Sequence, residues 1–589
     1  MAANDSVKKK PKDTKGTLLR LLSYMGKYRF AFFGIVLMSL VSNVLGLLGP
    51  SFAGSAINAA AAGEGKVNFA EVFRYATLML GVYVLSSVLS IIISIMMTRV
   101  SRRIAERMRQ DVFEKLLRMP VGYFDRNQAG DIISRVSYDI DVIGTCIATD
   151  ATQILTSLVT VIGSLTMMII ISPILSLTTL VTIPIAIIYT VRMKKITQPL
   201  FSKRSKSYGK LNGFVEEMFS GQKTIQAYAY EEKVENRFDK INHEAADIYR
   251  EAEYHGCTIG PTVNVVNNLG LALVTIMGAF LFMYKRIGIG QISSFVLYSR
   301  KFSGPINEIA NILNEIYSAL SAAERVFDLL KSDEEVADIE NAVEPEDVRG
   351  DVEMEHVSFG YVPGKTILHD LSLKADSGKL IAIVGPTGAG KTTIINLLMR
   401  FYDVDSGRVI VDERDVREYR RKNLRAAYAM VLQDTWVFNG TIFDNIAYGK
   451  ENATREEVIE VAKAAHIHSF IMRLPQGYDT VISEDGGNIS KGQKQLLTIA
   501  RAMLYDSKIL ILDEATSNVD TGTEKRIQKA MRELMKDKTC FVIAHRLSTI
   551  KGADNILVAN HGDVIEQGTH EALMESKGFY YSLYRAQFE

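Results

Sequence analysis

The chain has 589 residues and a mass of 65.5 kDa, a length that accommodates roughly three to five domains and excludes a single small module. Lys and Arg number 68 and Asp and Glu 67, so the net charge of +1 gives no electrostatic reason to expect nucleic acid as a partner. Three widely separated cysteines without metal-ligand spacing argue against a disulfide framework and against a zinc module.

The N-terminal half of the sequence predicts a membrane domain. Residues 1–15 form a basic tail whose five lysines favour contact with anionic lipid headgroups. Residues 16–330 follow as an all-α transmembrane domain, because windows without charged residues recur there and a bilayer core needs about 20 apolar residues per helix. Six spanning helices are predicted, at about 30–61, 70–100, 145–171, 173–194, 258–284 and 288–322.

The third and fourth predicted spans form a helical hairpin, and the sixth span carries charges. Residues 151–191 contain no Asp, Glu, Lys or Arg in 41 positions, which fits two crossings that turn at Ser172-Pro173. Ionisable groups inside a membrane are costly and often functional, so polar residues of the spans are candidate substrate contacts. Snorkelling, ion pairing and interhelical hydrogen bonds are the structural alternatives. The candidates are Asp150, Asn264, Asn267, Asn268, Arg300, Lys301 and Glu308.

The distribution of basic residues predicts the orientation. Lys and Arg are retained on the cytoplasmic side, where 99–149 carries nine of them and 192–253 carries twelve; the other side carries four. The N-terminus, both long loops and the C-terminal half are therefore expected in the cytoplasm. Spaced apolar residues without Gly or Pro in 99–119 and in much of 206–250 predict helices that continue the spans into water.

After an acidic, turn-rich linker at 331–349 the composition changes. Within 350–589 the short β-branched runs 380–384, 508–513 and 540–545 alternate with helical patterns. This alternation is typical of an α/β domain with a mostly parallel sheet. The predicted architecture is a helical membrane domain followed by one soluble α/β domain.

A phosphate-binding loop lies between the first of these strands and the next helix. Residues 385–392 fit G-x4-G-K-[ST], in which backbone N–H groups wrap phosphates at a helix N-terminus. In that geometry Lys391 reaches the β- and γ-phosphate oxygens and Thr392 offers a hydroxyl to magnesium. A Gly-rich turn is the structural alternative. The predicted nucleotide-binding residues here are Gly385, Pro386, Thr387, Gly388, Ala389, Gly390, Lys391, Thr392 and Thr393.

The strand that ends near residue 513 supplies two adjacent carboxylates. Its apolar residues 509–512 deliver Asp513 and Glu514 to the C-terminal edge of the sheet, where ligands of open α/β sheets collect. We expect Asp513 to hold magnesium and Glu514 to polarise the attacking water as a general base. A solvated turn is the alternative for such a pair standing alone, but the phosphate loop 122 residues upstream of Asp513 favours the catalytic interpretation.

Seven motifs together carry a family resemblance. They occur in the order and spacing of an ABC ATPase domain: Phe359-Gly-Tyr361, the phosphate loop, Val431-Leu-Gln433, FNGTIFDNIAYG, Ile489-Ser-Lys-Gly-Gln493, LDEATSNVD and IAHRLST. With the six predicted spans, the chain resembles a half-transporter of the ABC exporter type. The resemblance covers nearly all 589 residues.

The resemblance implies ATP and Mg²⁺ as cofactors and assigns roles to four further residues. Tyr361 would stack on adenine. Gln433 would contact magnesium and the attacking water, so that the implied magnesium ligands are Thr392, Gln433 and Asp513. His545 would hydrogen-bond the γ-phosphate and Glu514, a structural histidine being the alternative. Asp520 would lie between two nucleotide sites. The implied catalytic residues are Glu514, His545 and Gln433.

The segment 489–493 resembles the family's signature motif and implies a dimer. Ser490, Gly492 and Gln493 open a helix that, in this family, closes over ATP held by a second subunit. The family pattern is Leu-Ser-Gly-Gly-Gln, and this chain has Ile489 and Lys491 in place of Leu and the first Gly. Lys491 puts a Cβ and a flexible cation where close backbone approach is expected, which slows hydrolysis at the covered site. An altered signature beside complete catalytic residues resembles one chain of a heterodimeric exporter; a homodimer is the alternative.

Two cytoplasmic segments resemble the family's coupling helices. Residues 120–141, with Tyr123-Phe124, and residues 221–232 stand at the tips of the two predicted hairpins. Each is expected to insert into a groove on an ATPase domain. Closure of ATP-loaded domains would then switch the spans from inward- to outward-facing.

The predicted function is ATP-driven export of amphipathic or hydrophobic compounds, of the multidrug type, across the bacterial plasma membrane. The predicted partners are a second half-transporter, membrane lipids and a small amphipathic substrate, without nucleic acid. A lipid or peptide exporter or a siderophore importer of the same fold is the alternative, because fold does not determine cargo or direction. An ATP-gated regulator or channel is an alternative of another class, which Glu514 and His545 disfavour.

Overall fold

The computed structural model describes residues 13–61, 67–344, 348–432, 435–482, 488–513, 520–543 and 550–588. At 182–183, 186–187, 306–311, 313–314 and 587–588 the description is limited to the backbone. The chain divides into two compact units. The first comprises Met1–Met119 and Asn127–Glu334, and the second comprises Pro120–Arg126 and Glu335–Glu589.

The described residues of the first unit are almost all helical. Its helices are α1 (Thr14–Gly26), α2 (Arg29–Ala60), α3 (Phe69–Leu117), α5 (Ala129–Ser134), α6 (Ile140–Thr145), α7 (Ala151–Ile171), α8 (Pro173–Ser220), α9 (Gln222–Ala227), α10 (Glu231–Met283) and α11 (Ile289–Lys331); α4 (Val121–Arg126) groups with the second unit. Between α5 and α6, and between α6 and α7, one π-helical turn continues the helix, so that Ala129–Ile171 forms one long element.

Among the described residues, four helical elements are long and apolar enough to cross a membrane. They are Arg29–Ala60, Phe69–Leu117, Ala129–Ile171 and Glu231–Met283. The other two predicted spans fall in α8 and α11, helices of 48 and 43 residues whose side chains are only partly described. The count of six spans therefore stays a prediction.

The turn between α7 and α8 shows how local sequence ends one helix and starts the next. Ser172 has extended backbone angles, with φ −161° and ψ 110°, and its hydroxyl accepts a hydrogen bond from the Leu175 N–H at 3.4 Å. Pro173 follows at the first helical position, where an N–H has no acceptor within the helix, so the missing N–H of proline removes no helical hydrogen bond. The expected turn at Ser172-Pro173 is thus present.

An ion pair ties α11 to the π-helical turn that follows α5. The guanidinium of Arg325 donates to both carboxylate oxygens of Asp139, at 2.9 and 2.5 Å. The Asp139 side chain is 4% exposed, so this pair is shielded from water. Removing one partner of such a pair strands a buried charge, which costs far more than losing a surface ion pair.

The described residues of the second unit form three sheets. The strands are β1 (Val352–Phe359), β2 (Leu368–Ala375), β3 (Leu380–Val384), β4 (Ser406–Val411), β5 (Arg414–Asp415), β6 (Tyr428–Val431), β7 (Gly440–Thr441), β8 (Val481–Ile482), β9 (Ile509–Asp513), β10 (Thr539–Ile543), β11 (Asn555–Asn560) and β12 (Asp563–Gly568). Six strands form the central sheet in the order β12-β11-β3-β10-β9-β6, in which all neighbouring pairs are parallel except β11 with β12. Antiparallel strands form a four-stranded sheet, β2-β1-β4-β5, and a two-stranded one, β7-β8.

The central sheet is buried on both faces. Along β9, Leu510 and Leu512 belong to one hydrophobic cluster, and Ile509 and Ile511 belong to another. Because successive side chains of a strand point to opposite faces, a continuous apolar run requires cover on both sides. The described helices of this unit are α12 (Lys391–Leu398), α13 (Arg421–Ala426), α14 (Ile442–Ala447), α15 (Arg455–Ala464), α16 (His468–Ile471), α17 (Lys491–Tyr505), α18 (Thr521–Met535), α19 (His570–Ser576) and α20 (Phe579–Phe588).

The predicted linker is anchored to the second unit where it is described. Arg421, whose side chain is 8% exposed, pairs with Asp338 at 3.0 Å and with Asp403 at 3.3 Å. Arg425 donates to both carboxylate oxygens of Glu335. The chain is therefore part of the second unit from Glu335 onward.

Candidate nucleotide site

The phosphate loop begins where β3 ends, as the sequence predicts, and leads directly into α12. Gly388 and Gly390 have φ angles of +85° and +96°, a backbone region that glycine occupies without strain. A Cβ on Gly390 would approach Leu368 Cδ2 to 2.7 Å, and one on Gly385 would lie 2.1 Å from the Ala559 carbonyl oxygen. Both the loop conformation and its packing therefore require glycine.

The start of α12 is suited to an anion. Among the described residues no side chain caps this helix, so within them its first N–H groups are left for an external acceptor. The loop residues Pro386, Thr387 and Gly388 are exposed, whereas Ala389 and Thr393 are buried. An uncapped helix N-terminus behind an exposed glycine loop fits the phosphates of a nucleotide.

Lys391 and Asp513 provide the charges of this site. The Lys391 Nζ donates to the Gly385 and Pro386 carbonyl oxygens, at 2.8 and 2.9 Å, and so folds back over the loop. Burial lowers the pKa of the Lys391 ammonium, and the carboxylate of Asp513 opposes that shift. Asp513 is therefore close enough to Lys391 to act on it electrostatically.

The parallel pairing of β3, β10 and β9 places the ends of these strands, which carry or precede predicted site residues, at one edge of the central sheet. Ile543 of β10 pairs with Ile383 on one side and with Asp513 on the other. The loop that follows β3 and the carboxylate that ends β9 thus leave the same edge of the sheet, two strands apart. Glu514, His545 and Gln433 lie outside the described residues, so their expected positions stay predictions.

The donor set also fits magnesium. Among the described residues no three His, Cys, Asp or Glu side chains cluster, so the unit offers no all-protein metal cage there. Mg²⁺ usually keeps several waters and binds through one or two carboxylates together with substrate phosphates. Thr392, which is exposed on the first turn of α12, and Asp513 are of the types such a site needs.

Tyr361 lies beside the phosphate-loop helix. Its hydroxyl donates to Thr393 Oγ1 at 3.3 Å and accepts from Asn396 Nδ2 at 2.9 Å, both residues belonging to α12. Its ring meets those of Phe359 and Tyr402 edge-on, with centroids 5.0 and 4.9 Å apart. The ring is thus held at a fixed place next to the loop, which a base-stacking residue requires.

The signature segment opens α17, as the sequence predicts. Ser490 Oγ accepts from the Gln493 N–H at 3.3 Å, and Gln493 Oε1 accepts from the Ser490 N–H at 2.8 Å. This capping box leaves the Ser490 hydroxyl proton available for donation to an anion. Gly492 is buried, and Lys491 is exposed at the first helical position.

Asp520 caps a helix. Its Oδ1 accepts from the Thr523 N–H at 2.9 Å at the start of α18, and this hydrogen bond lowers the pKa of the carboxyl group. The structure therefore gives Asp520 a local structural role that sequence reasoning missed. The preceding residues 514–519 lie outside the described part of the chain.

Helix α4, part of the first predicted coupling segment, contacts residues around Tyr361. Tyr402 donates its hydroxyl to Asp125, and Arg126 Nη2 donates to the Tyr361 carbonyl oxygen at 3.0 Å. A Cβ on Gly122 would lie 2.9 Å from the Tyr402 ring. Sequence reasoning identified the segment but missed Tyr402, Asp125 and Arg126, since nothing in their spacing connects residues so distant in the chain.

A second feature of this unit is an aromatic groove. The cavity measures about 330 Å³ and is lined by Leu432, Trp436, Tyr448, Arg501 and other residues. Trp436 and Tyr448 are 65% and 67% exposed. Arg501 Nε donates to the Asn445 carbonyl oxygen at 2.8 Å, which fixes the guanidinium on the groove's wall. Leu432, which lines the groove, immediately precedes the predicted coupling residue Gln433 in the sequence.

The polar residues predicted to lie in the spans have different surroundings. Asp150 is buried and accepts from Thr149 Oγ1 at 2.7 Å, whereas Arg300, Asn264 and Asn268 are exposed in the single chain. Asn267 is partly exposed. Lys301 is partly buried and donates to a backbone carbonyl, and the Glu308 side chain lies outside the described part of the chain.

Comparisons with known proteins cover both units. A family model of the ABC transporter transmembrane region matches residues 32–306, and the ABC transporter model for the ATPase matches 368–517. A fatty acid ABC transporter ATP-binding/permease protein of Mycobacterium tuberculosis is 42% identical over 526 residues, which are 89% of this chain and 83% of that one. An ATP-dependent lipid A-core flippase of Haemophilus influenzae is 35% identical over 529 residues, 89% of this chain and 90% of that one.

A solved structure shows the same fold. It is a bacterial Atm1-family ABC exporter with ATP bound, which is 29% identical and superposes with a TM-score of 0.75. The match covers 95% of this chain and 98% of the other. Family models, relatives and structure agree on an apolar helical membrane domain joined to a cytoplasmic ATPase domain that uses ATP. The chain belongs to the ABC transporter family and is an exporter-type half-transporter that couples ATP hydrolysis to transport across the membrane.

Proposed function

We propose that the protein exports amphipathic or hydrophobic compounds from the cytoplasm, over the broad range of a multidrug exporter, as one half of a dimer. The observation that carries the proposal is the start of α12 behind the glycine loop, on the same edge of the sheet as Asp513, in one chain with helices long and apolar enough to cross a membrane. The relatives' names favour amphipathic cargo with acyl chains, since one is named for fatty acids and the other for lipid A-core.

Reconstitution of the assembled transporter in liposomes tests this proposal. Inside-out proteoliposomes are given ATP together with either a fluorescently labelled long-chain fatty acid or a lipophilic cationic dye. Accumulation of both probes supports the multidrug range, and accumulation of the fatty acid alone narrows the cargo to acyl compounds. An ATP-gated channel, the alternative of another class, would let either probe equilibrate without concentrating it.

For the nucleotide site we propose the roles that the sequence predicts. The loop 385–393 holds the phosphates, with Lys391 at the β- and γ-phosphates. Thr392, Gln433 and Asp513 hold magnesium. Glu514 acts as general base for the attacking water, assisted by Gln433 and His545. Magnesium, when bound, neutralises the phosphate charge; this chain supplies the loop that orients the phosphates and the base that takes the proton.

Substitution of Tyr361 tests the base-stacking role. Tyr361→Ala should raise the KM for ATP about tenfold, because stacking on a base contributes roughly 1–3 kcal/mol. Tyr361→Phe is the matched control, since it keeps the ring and loses only the hydrogen bonds to Thr393 and Asn396. ATP turnover measured against ATP concentration gives both values. Equal effects of the two substitutions would assign the loss to the hydroxyl's hydrogen bonds with Thr393 and Asn396, and not to stacking of the ring.

We further propose that the functional dimer is a heterodimer. This chain has a complete set of predicted catalytic residues, whereas its own signature carries Lys491, an exposed cation at the start of α17. A partner with an intact signature would complete the active site of this chain. The chain purified alone should hydrolyse ATP slowly, and a stable homodimer with brisk, Glu514-dependent turnover would contradict the proposal.

The effect of Lys491 can be measured in the chain purified alone. Lys491→Gly should raise ATP turnover several-fold, roughly fivefold to tenfold, because it restores close backbone approach over the nucleotide. Lys491→Ala removes the charge and keeps a Cβ, so it separates the electrostatic from the steric effect. Phosphate release is the readout. Turnover that stays unchanged in both variants would show that Lys491 does not limit hydrolysis.

The aromatic groove beside Gln433 is the surface on which we place coupling to the membrane domain. Its exposed Trp436 and Tyr448 offer an apolar surface suited to a coupling segment. Helix α4, which groups with the second unit, contacts Tyr402 and Tyr361 through Asp125 and Arg126. A displacement of Gln433 would then be transmitted to the segment bound in the groove.

A further inference from the structure

Helix α2 contains a proline that removes one of its own hydrogen-bond donors. Pro50 lies inside this helix and has no N–H to donate to the carbonyl oxygen of Gly46, four residues earlier. In the lipid-embedded part of a protein, a backbone polar group without a partner is costly, because no water can replace it. The Gly46 carbonyl therefore needs a donor from elsewhere.

Helix α11 supplies that donor and two more beside it. Lys301 Nζ donates to the Gly46 carbonyl oxygen at 2.6 Å. The Tyr298 hydroxyl donates to the Leu47 carbonyl oxygen at 2.6 Å, and the Ser294 hydroxyl donates to that of Pro50 at 2.8 Å. The three donors are spaced by four and three residues, so they share one face of α11. Together they cover the turn of α2 that Pro50 disturbs.

The two helices are also in close backbone contact further along. The Gly290 N–H donates to Asn58 Oδ1 at 2.7 Å, and a Cβ on Gly54 would lie 2.4 Å from the Gly290 carbonyl oxygen. At this distance between the two backbones, only glycine fits at position 54. The donors of α11 are thus held in register with the carbonyls of α2 by contacts independent of Lys301.

The charge of Lys301 has no other evident use in the described part of the chain. No carboxylate there pairs with its ammonium, and the nearest aromatic ring is that of Tyr83, with its centroid 5.8 Å from Nζ. Tyr83 packs on Gly49, adjacent to Pro50. A lysine inside a membrane helix is costly enough that a function is the default expectation.

We propose that Lys301 is a positioning residue for transport: its ammonium replaces the N–H that Pro50 lacks and holds α2 and α11 together along the membrane domain. Lys301 and Pro50 are therefore interdependent. The need for Lys301 should disappear when residue 50 can donate its own N–H to Gly46. This inference uses ATP-coupled transport as the activity and is independent of the cargo proposed above.

A double-mutant cycle tests the interdependence. ATP turnover of the assembled transporter in lipid nanodiscs is measured for Lys301→Met, Pro50→Ala and the double variant. Lys301→Met should lower turnover roughly tenfold, as expected for a stranded buried acceptor. In the Pro50→Ala background the same substitution should change turnover less than about twofold. Lys301→Gln, which keeps a donor without the charge, should restore most of the activity.

The neighbouring Arg300 provides the matched control. It is exposed in the single chain, so any effect of Arg300→Met should be the same with Pro50 and with Ala at position 50. If Lys301→Met does not fold, recovery of folded protein by Pro50→Ala supports the proposal equally. Equal losses from Lys301→Met in both backgrounds, or a loss in Lys301→Gln as large as in Lys301→Met, would overturn it.

Discussion

Replacing Glu514 by Gln should lower ATP turnover at least about 100-fold while ATP binding is retained. A general base contributes typically 10²–10⁴-fold to the rate, and the amide of Gln cannot take the proton from the attacking water. Gln nevertheless has the size and shape of Glu, so the phosphate loop and the magnesium ligands should remain in place. Phosphate release measures turnover, and retention of radiolabelled ATP by the assembled transporter measures binding.

Glu571→Gln is the control for this experiment. Glu571 is exposed near the start of α19, away from the strand ends that form the nucleotide site, and its substitution should leave turnover unchanged. Substantial residual turnover in Glu514→Gln, within a few-fold of the wild type, would assign the base to another group. Loss of ATP binding in this variant would instead point to a structural role for Glu514.

Lys391→Met is expected to have the second large effect, a fall of about 100-fold in ATP affinity. Hydrogen bonds to charged groups contribute roughly 1.5–3 kcal/mol each, and Lys391 is the predicted donor to two phosphates. Met keeps the length and the apolar stem of the side chain, so the loop that Lys391 covers should stay folded. Titration with a fluorescent ATP analogue measures the affinity.

Lys379→Met controls for the loss of a positive charge. Lys379 precedes β3 and pairs with Asp554 at 3.0 Å, within the same unit and outside the loop. Its substitution should leave ATP affinity within about twofold of the wild type, because an exposed ion pair contributes little. Similar losses in the two variants would mean that net charge, and not the position of Lys391, governs binding.

The local structure of the phosphate loop was predictable because a short motif encodes it. An apolar run followed by glycines and Lys391 specifies a strand, a loop and a helix start within about a dozen residues, and the structure shows all three. The same holds for the turn at Ser172-Pro173 and for the start of α17 at Ser490. In each case the physical cause lies within a few residues of its effect.

Contacts between distant parts of the chain were not predictable in this way. The sequence does not predict that the Lys301 side chain donates to the carbonyl oxygen of Gly46, 255 residues away, as it does in the structure. Tyr402 meets Asp125 across 277 residues. One sequence carries no information about which helix faces pack together, so such pairs become visible only when the fold is known.

The central claim is that ATP hydrolysis at this chain's own nucleotide site drives transport. Its most direct test is the ATP-dependent accumulation of the labelled fatty acid or the dye in inside-out proteoliposomes, compared between the wild type and Glu514→Gln in the same assembly. The account predicts accumulation against a gradient for the wild type and none for the variant. Equal accumulation in both would contradict it.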